Sequence, residues 1–163
     1  MIPEQTIDSA KTSVNQLPFL HKKVADSLDG CFVLDYGCGK YSKGLDYLEG
    51  VSDGCVGYDP YNQPEEVNYW AMKYLGEGSV DIVVCSNVLN VVKEYDIRAS
   101  IIEDCSKASL KAFFSVYEGD KKKVGRQTTK GWQENRPTED YIHEIEEHFS
   151  FVERKGKVIT AWP

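Results

Sequence analysis

The chain has 163 residues, 41% of them hydrophobic and 28% charged, with a formal net charge of −7 at pH 7. That suits one globular domain over 1–163 with its own core, and the acidity argues against a protein that coats nucleic acid by bulk charge. No apolar run nears the roughly eighteen residues of a membrane span, and Met1–Gln5 lacks the basic start and apolar stretch of a secretory signal, so no membrane partner and a cytoplasmic residence are expected.

Residues 1–16 are polar and mixed, an arm with a loop at Lys11–Asn15. A short amphipathic helix is predicted from Leu17 or Pro18 to Leu28, stopped by Asp29-Gly30, so that 1–29 form an N-terminal arm and helix. Cys31-Phe32-Val33-Leu34-Asp35 is apolar until it ends on an acid, as a strand buried on both faces in a parallel sheet would be. Gly37-Cys38-Gly39 follows at once, then a helical stretch from about Ser42 to Leu48. Asp53-Gly54 turns the chain into a second strand, Cys55–Asp59, which Pro60 closes because it cannot donate to a ladder. A weak edge strand at Val67–Trp70 and a turn at Glu77–Ser79 precede the clearest strand, Val80–Ser86. A helix over Glu94–Ser109 puts Ile97, Ile101 and Cys105 on one face, and Ala112–Tyr117 is another buried strand. Thr138 is the expected cap of a helix led by Glu139 and Asp140, with Tyr141, Ile145 and Phe149 as its apolar face. Phe151–Glu153 and Val158–Trp162 form a hairpin around Lys155-Gly156. Strands alternating with helices predict an α/β fold: a doubly wound, mostly parallel, seven-stranded sheet with an antiparallel C-terminal hairpin.

Chemistry concentrates where the first strand meets its helix. In Val33-Leu34-Asp35-Tyr36-Gly37-Cys38-Gly39 the glycines permit a tight turn and close approach to a ligand. Asp59 ends the next strand 20 residues after Gly39, where an acid can accept hydrogen bonds from both hydroxyls of a ribose. Asp35 can meet a cationic amine or orient the glycine loop. This run resembles motif I of class I S-adenosylmethionine-dependent methyltransferases, whose usual form is close to VLDLGCGTG. The resemblance continues through Gly57-Tyr58-Asp59 and through Val80–Leu89, which is similar to the family's FDLVVSNNVL pattern, and covers residues 30–163. The chain is also similar to small methyltransferase-like proteins of phages and bacteria. The resemblance implies a Rossmann-like fold and S-adenosylmethionine as cofactor, with S-adenosylhomocysteine as product. It implies the methionine moiety over Asp35, Gly37, Cys38 and Gly39, the ribose on Asp59, the adenine beside Pro60 and Met72, and Asn87 near the sulfonium. Three features depart from the family pattern: Tyr41 replaces the third glycine, Met72 stands where many members carry an acid, and the helix after the second strand is reduced to Asn62–Glu66. A nicotinamide-binding G-x-G-x-x-G is absent, because Ser42 stands where its last glycine would be.

For the methyl acceptor the sequence offers a wall rather than a motif. Asn87-Val88-Leu89-Asn90 lacks the prolines and aromatic with which base-amino DNA methylases grip a flipped base. Cys85, inside an apolar strand, lacks the proline of cytosine-C5 enzymes and reads as core. Tyr117 and Glu118, at the end of the 112–117 strand, are the candidate catalytic residues, Glu118 as base or hydrogen-bond acceptor, with a solvated strand end as the alternative. Lys121–Arg136 carries six cations against Glu134 alone, with Trp132 among them, and reads as a mobile flap for a small or nucleotide-like anion, for nucleic acid, or as a solvated loop. Five cysteines, odd in number and without a C-x-x-C pair, and three dispersed histidines predict neither a disulfide framework nor a metal site. His143 and His148 are expected at the surface, and His21 carries little information. The leading expectation is a methyltransferase. The alternatives are a catalytically inactive cofactor-binding regulatory module and a nucleic-acid-modifying methyltransferase using residues 121–136.

Overall fold

The computed structural model describes residues 4–163, so the reading of Met1–Gln5 falls partly outside the described residues. Strand β1 (Phe32–Tyr36) pairs in parallel with β2 (Gly54–Tyr58) on one side and β3 (Val80–Ser86) on the other, and β3 pairs in parallel with β4 (Ser109–Ser115). The hairpin of β7 (Phe151–Lys155) and β8 (Val158–Trp162) then adds antiparallel to β4. The sheet has six strands in the order β2-β1-β3-β4-β8-β7.

Both faces of the central strands are covered, which is why those strands are apolar throughout. On one face lie α1 (Phe19–Val24) and α2 (Lys43–Val51), whose Leu20, Val24 and Leu48 meet Val33, Ile82 and Val84. On the other lie α3 (Glu65–Glu77), α4 (Tyr95–Ala108) and α5 (Ile142–Glu146), with Ala71, Ile101, Ile102 and Ile145 against Leu34 and Phe114. The chain leaves β1 for β2 on one side and crosses back to β3 on the other, so strand order reverses between β1 and β3. The crevice at the carboxyl ends of those two strands is where an open α/β sheet takes ligands.

The fold departs from expectation at two helices. Val67–Trp70 is no edge strand, which removes the seventh strand, and the reduced helix at Asn62–Glu66 is replaced by the 13-residue α3. Val, Tyr and Trp favour strands locally. Pro64 and two glutamates nevertheless start a helix, Ala71, Tyr74 and Leu75 pack at helical spacing, and Gly78 closes it in the left-handed conformation. The second departure is Thr138, whose side chain makes no capping bond and opens a short 3-10 turn before α5. Within residues 121–136, β5 (Arg126–Gln127) and β6 (Trp132–Gln133) form a separate two-stranded ribbon. Among the described residues no helix is long and apolar enough to cross a membrane.

Candidate functional site

At the switch point the chain leaves β1 through Gly37 and Gly39, both left-handed, with φ of +80° and +72°. A Cβ on Gly37 would collide with Val88 Cγ2, and one on Gly39 with Ser13 Oγ, so glycine is required at both for backbone and for space. The turn's amides are all engaged. Tyr58 O accepts from Gly37 N–H at 2.7 Å and from Cys38 N–H at 3.1 Å. Gly39 N–H donates to Asp59 Oδ2 at 2.9 Å, and Lys40 N–H to Ser13 Oγ at 3.0 Å. Asp59 therefore braces the turn, and its Oδ1 accepts from Tyr61 N–H and Asn62 N–H at 3.0 and 3.1 Å. Oδ2 keeps a lone pair for a further donor.

A cavity of about 760 Å³ opens over this turn, in the size range of small-molecule sites. Gly37, Cys38, Gly39, Asp59, Pro60, Met72 and Asn87 all line it, so the fold brings together seven of the eight residues singled out for the cofactor. Asn87 is held at φ +57°, a left-handed conformation uncommon for a side-chain-bearing residue, with its N–H on Ser115 O. Its side-chain amide has no partner among the described residues. Tyr36 and Tyr58, rings 5.0 Å apart, join Val88, Val91 and Ile101 as an apolar wall of the same cavity. Burial pushes the Cys38 thiol well up, which keeps it protonated and unsuited to nucleophilic work.

The eighth residue, Asp35, is buried and does not line the cavity. Its Oδ2 meets His21 Nε2 at 2.8 Å, and both side chains are at most 3% exposed. The low information assigned to His21 thus needs correcting: the ring is fully buried, and its Nδ1 has no partner. Nothing in the sequence signalled this pair, because an isolated histidine on a short helix carries no pattern.

The arm is the larger omission. Ser9, Thr12, Ser13, Val14 and Leu17 line the cavity, with Ser13 seated against the glycine turn. Besides the Ser13 bond, Gln5 N–H donates to Tyr61 Oη at 3.2 Å, Thr6 bonds Glu94, and Lys43 Nζ donates to Asn15 O at 3.3 Å. The segment therefore crosses the site as a strap tied at both ends.

Tyr117 and Glu118 stand elsewhere. Tyr117 is exposed, and neither residue lines the cavity. Glu118 Oε2 accepts from Thr138 N–H at 2.8 Å and from its hydroxyl at 3.3 Å, while Lys121 and Lys157 flank Oε1. The Thr138 N–H bond first, then the two ammonium groups, hold its carboxyl below the ordinary range against the cost of burial. A carboxylate stabilised in this way is a poor base, and the geometry gives the catalytic reading of these two residues no support. Three of the basic segment's six cations are paired, Lys121 with Glu118 among them, while Lys122, Arg126 and Lys130 are exposed and have no ion pair among the described residues. Lys123 pairs with Asp140 at 3.1 Å, and Arg136 with Glu134 at 3.0 Å and Glu144 at 3.5 Å. Trp132 Nε1–H donates to Glu134 beneath the Lys93 ammonium. No residue of 121–136 lines the cavity.

No protein-family model matches the sequence, and no curated protein matches it. Solved structures do match its fold. Magnesium protoporphyrin IX methyltransferase from Synechocystis PCC 6803, with bound S-adenosylhomocysteine, superposes with a TM-score of 0.54 over 93% of this chain and 90% of its own, at 16% identity. An S-adenosylmethionine-dependent methyltransferase from Mesorhizobium loti gives 0.52 over 87% and 96%, at 11% identity. One from Aquifex aeolicus gives 0.51 over 90% and 89%, at 17% identity. The chain has the class I methyltransferase-like fold, built with six strands where seven were expected.

Proposed function

We propose that this chain is an S-adenosylmethionine-dependent methyltransferase, one domain over 1–163, acting on a small or nucleotide-like acceptor. The observation that carries the reading is the cavity itself. It lies at the switch point over a D-x-G-x-G turn, next to an acid that closes the neighbouring strand, and with the arm along one side it has a volume of about 760 Å³. The residues suit the cofactor: Asp59 Oδ2 has acceptor capacity for a ribose hydroxyl, and Pro60, Met72 and the tyrosine-rich wall offer an apolar slot for adenine. When bound, the cofactor supplies an electrophilic methyl group on a sulfonium sulfur. Gly37, Cys38 and Gly39 would hold its methionine moiety, and Asn87 would present a free amide beside the reacting end. Such a site works by alignment, and a base is needed only for an acceptor that arrives protonated. Five free cysteines agree with a reducing, cytoplasmic setting.

The arm, by lining one side of the cavity, favours a small acceptor over a nucleic acid, and the distance of 121–136 from the cavity lining points the same way. One observation favours a binding module without catalysis: among the described residues the only carboxylates lining the cavity are Glu4 and Asp59, and Asp59 braces the turn. Calorimetric titration with S-adenosylmethionine and S-adenosylhomocysteine tests the cofactor reading. Saturable binding is expected, weakened at least about tenfold in Asp59→Ala, which loses charge-assisted bonds to the turn as well as to the ligand. A wild type that binds neither compound would end this reading. Mass spectrometry for S-adenosylhomocysteine formed with mixed small-molecule acceptors separates enzyme from module.

A further inference from the structure

An amino-acid carboxylate placed over the glycine turn would meet no free amide from that turn. The four consecutive N–H groups of Gly37, Cys38, Gly39 and Lys40 already donate to Tyr58 O, Asp59 Oδ2 and Ser13 Oγ. The anion therefore needs a donor from elsewhere. Among the described residues lining the cavity only Lys22 is cationic, and it has no ion pair or hydrogen bond there. The two other nearby lysines do not line the cavity: Lys40 lies over the Tyr41 ring and Lys43 is bonded to Asn15 O.

Lys22 is also placed firmly. It follows His21 on α1, and His21 is bonded to Asp35, in the strand that delivers the glycine turn. His21 Nε2 packs 3.3 Å from where a Cβ on Gly44 would lie, and Gly44 itself lines the cavity in the first turn of α2. The buried His21–Asp35 bond thus fixes the helix carrying the cation to the strand carrying the cradle, while Lys22 stays exposed. Among the described residues the other charged side chains on the cavity are both acids: Asp59, which braces the turn, and Glu4, whose neighbour Gln5 is tied to Tyr61 on the ribose side.

We propose that Lys22 is the counter-ion for the carboxylate at the amino-acid end of the cofactor. This rests on the cofactor reading above. The test compares S-adenosylhomocysteine with 5′-deoxy-5′-methylthioadenosine, which keeps the nucleoside and thioether but lacks the amino-acid portion, by calorimetric titration of the full chain. Lys22→Ala should weaken S-adenosylhomocysteine about fivefold and leave the methylthio nucleoside unchanged, and Lys22→Glu should weaken the former further. The wild-type affinity for S-adenosylhomocysteine should fall with added salt, and that dependence should shrink in Lys22→Ala. Lys23→Ala, on the same helix with its ammonium over Phe19, should change neither affinity. Because Lys22 is exposed, its variants should melt with the wild type. If Lys22→Ala binds S-adenosylhomocysteine as tightly as the wild type, or weakens both ligands equally, the inference is overturned while the cofactor reading stands. If the wild type binds neither ligand, the cofactor reading itself fails.

Discussion

Leucine in place of His21 isolates the energetics of the buried pair under the site. The two side chains are 1% and 3% exposed and 2.8 Å apart, so His21→Leu keeps most of the volume and strips Asp35 of its partner. An unpaired buried acceptor costs ~1–3 kcal/mol, and breaking a buried ion pair from one side ~3–5 kcal/mol. A loss of roughly 2–4 kcal/mol is therefore expected. For a domain of this size each kcal/mol lowers Tm by about 2–4 °C, so the melting point should fall by roughly 5–15 °C. Thermal and urea unfolding of the wild type, His21→Leu, Asp35→Val and the double variant measures it. The double variant should lose less than the sum of the singles by at least about 1 kcal/mol, because it strands no partner. A single-variant loss below about 1 kcal/mol, or strict additivity, would show that Asp35 is solvated by another route and refute the reasoning.

Gly37→Ala should cost about 1–2 kcal/mol from its φ of +80° alone, before the collision with Val88, and should abolish S-adenosylhomocysteine binding by calorimetry. Adding Val88→Ala relieves the collision and not the backbone strain, so stability should recover only in part. Glu118 predicts a sign for acid unfolding. Its carboxyl is held below the ordinary 4.5, chiefly by Thr138 N–H, so the unfolded chain binds the proton more readily. Its stabilising contribution is present above 4.5 and is lost as pH falls through the lowered folded value. Urea midpoints measured from pH 6 down to about 3 should drop less steeply in Glu118→Gln than in the wild type.

Much of the fold was legible because it is written locally. Apolar runs at Val33–Leu34 and Val80–Cys85, each bounded by turn residues, report burial on both faces of a sheet wherever they occur. The glycines of Gly37-Cys38-Gly39 report a backbone conformation that other residues avoid, and Asp59 stands in register beside them because β1 and β2 pair in parallel. The Val67–Trp70 segment misled for a related reason. Its side chains favour a strand taken alone, and only the packing of Ala71, Tyr74 and Leu75 against the core made it a helix.

By itself, the sequence determined the doubly wound architecture, the glycine turn and the acid that braces it, since each depends on neighbours along the chain. Tertiary structure alone decided that the polar arm at residues 4–18 covers the site, that His21 reaches Asp35 across fourteen positions, and that Glu118 turns from the cavity to Thr138. Those pairings join residues with no periodic relation to one another. They are set by which elements pack together, and a buried polar group takes whatever partner that packing brings within bonding distance.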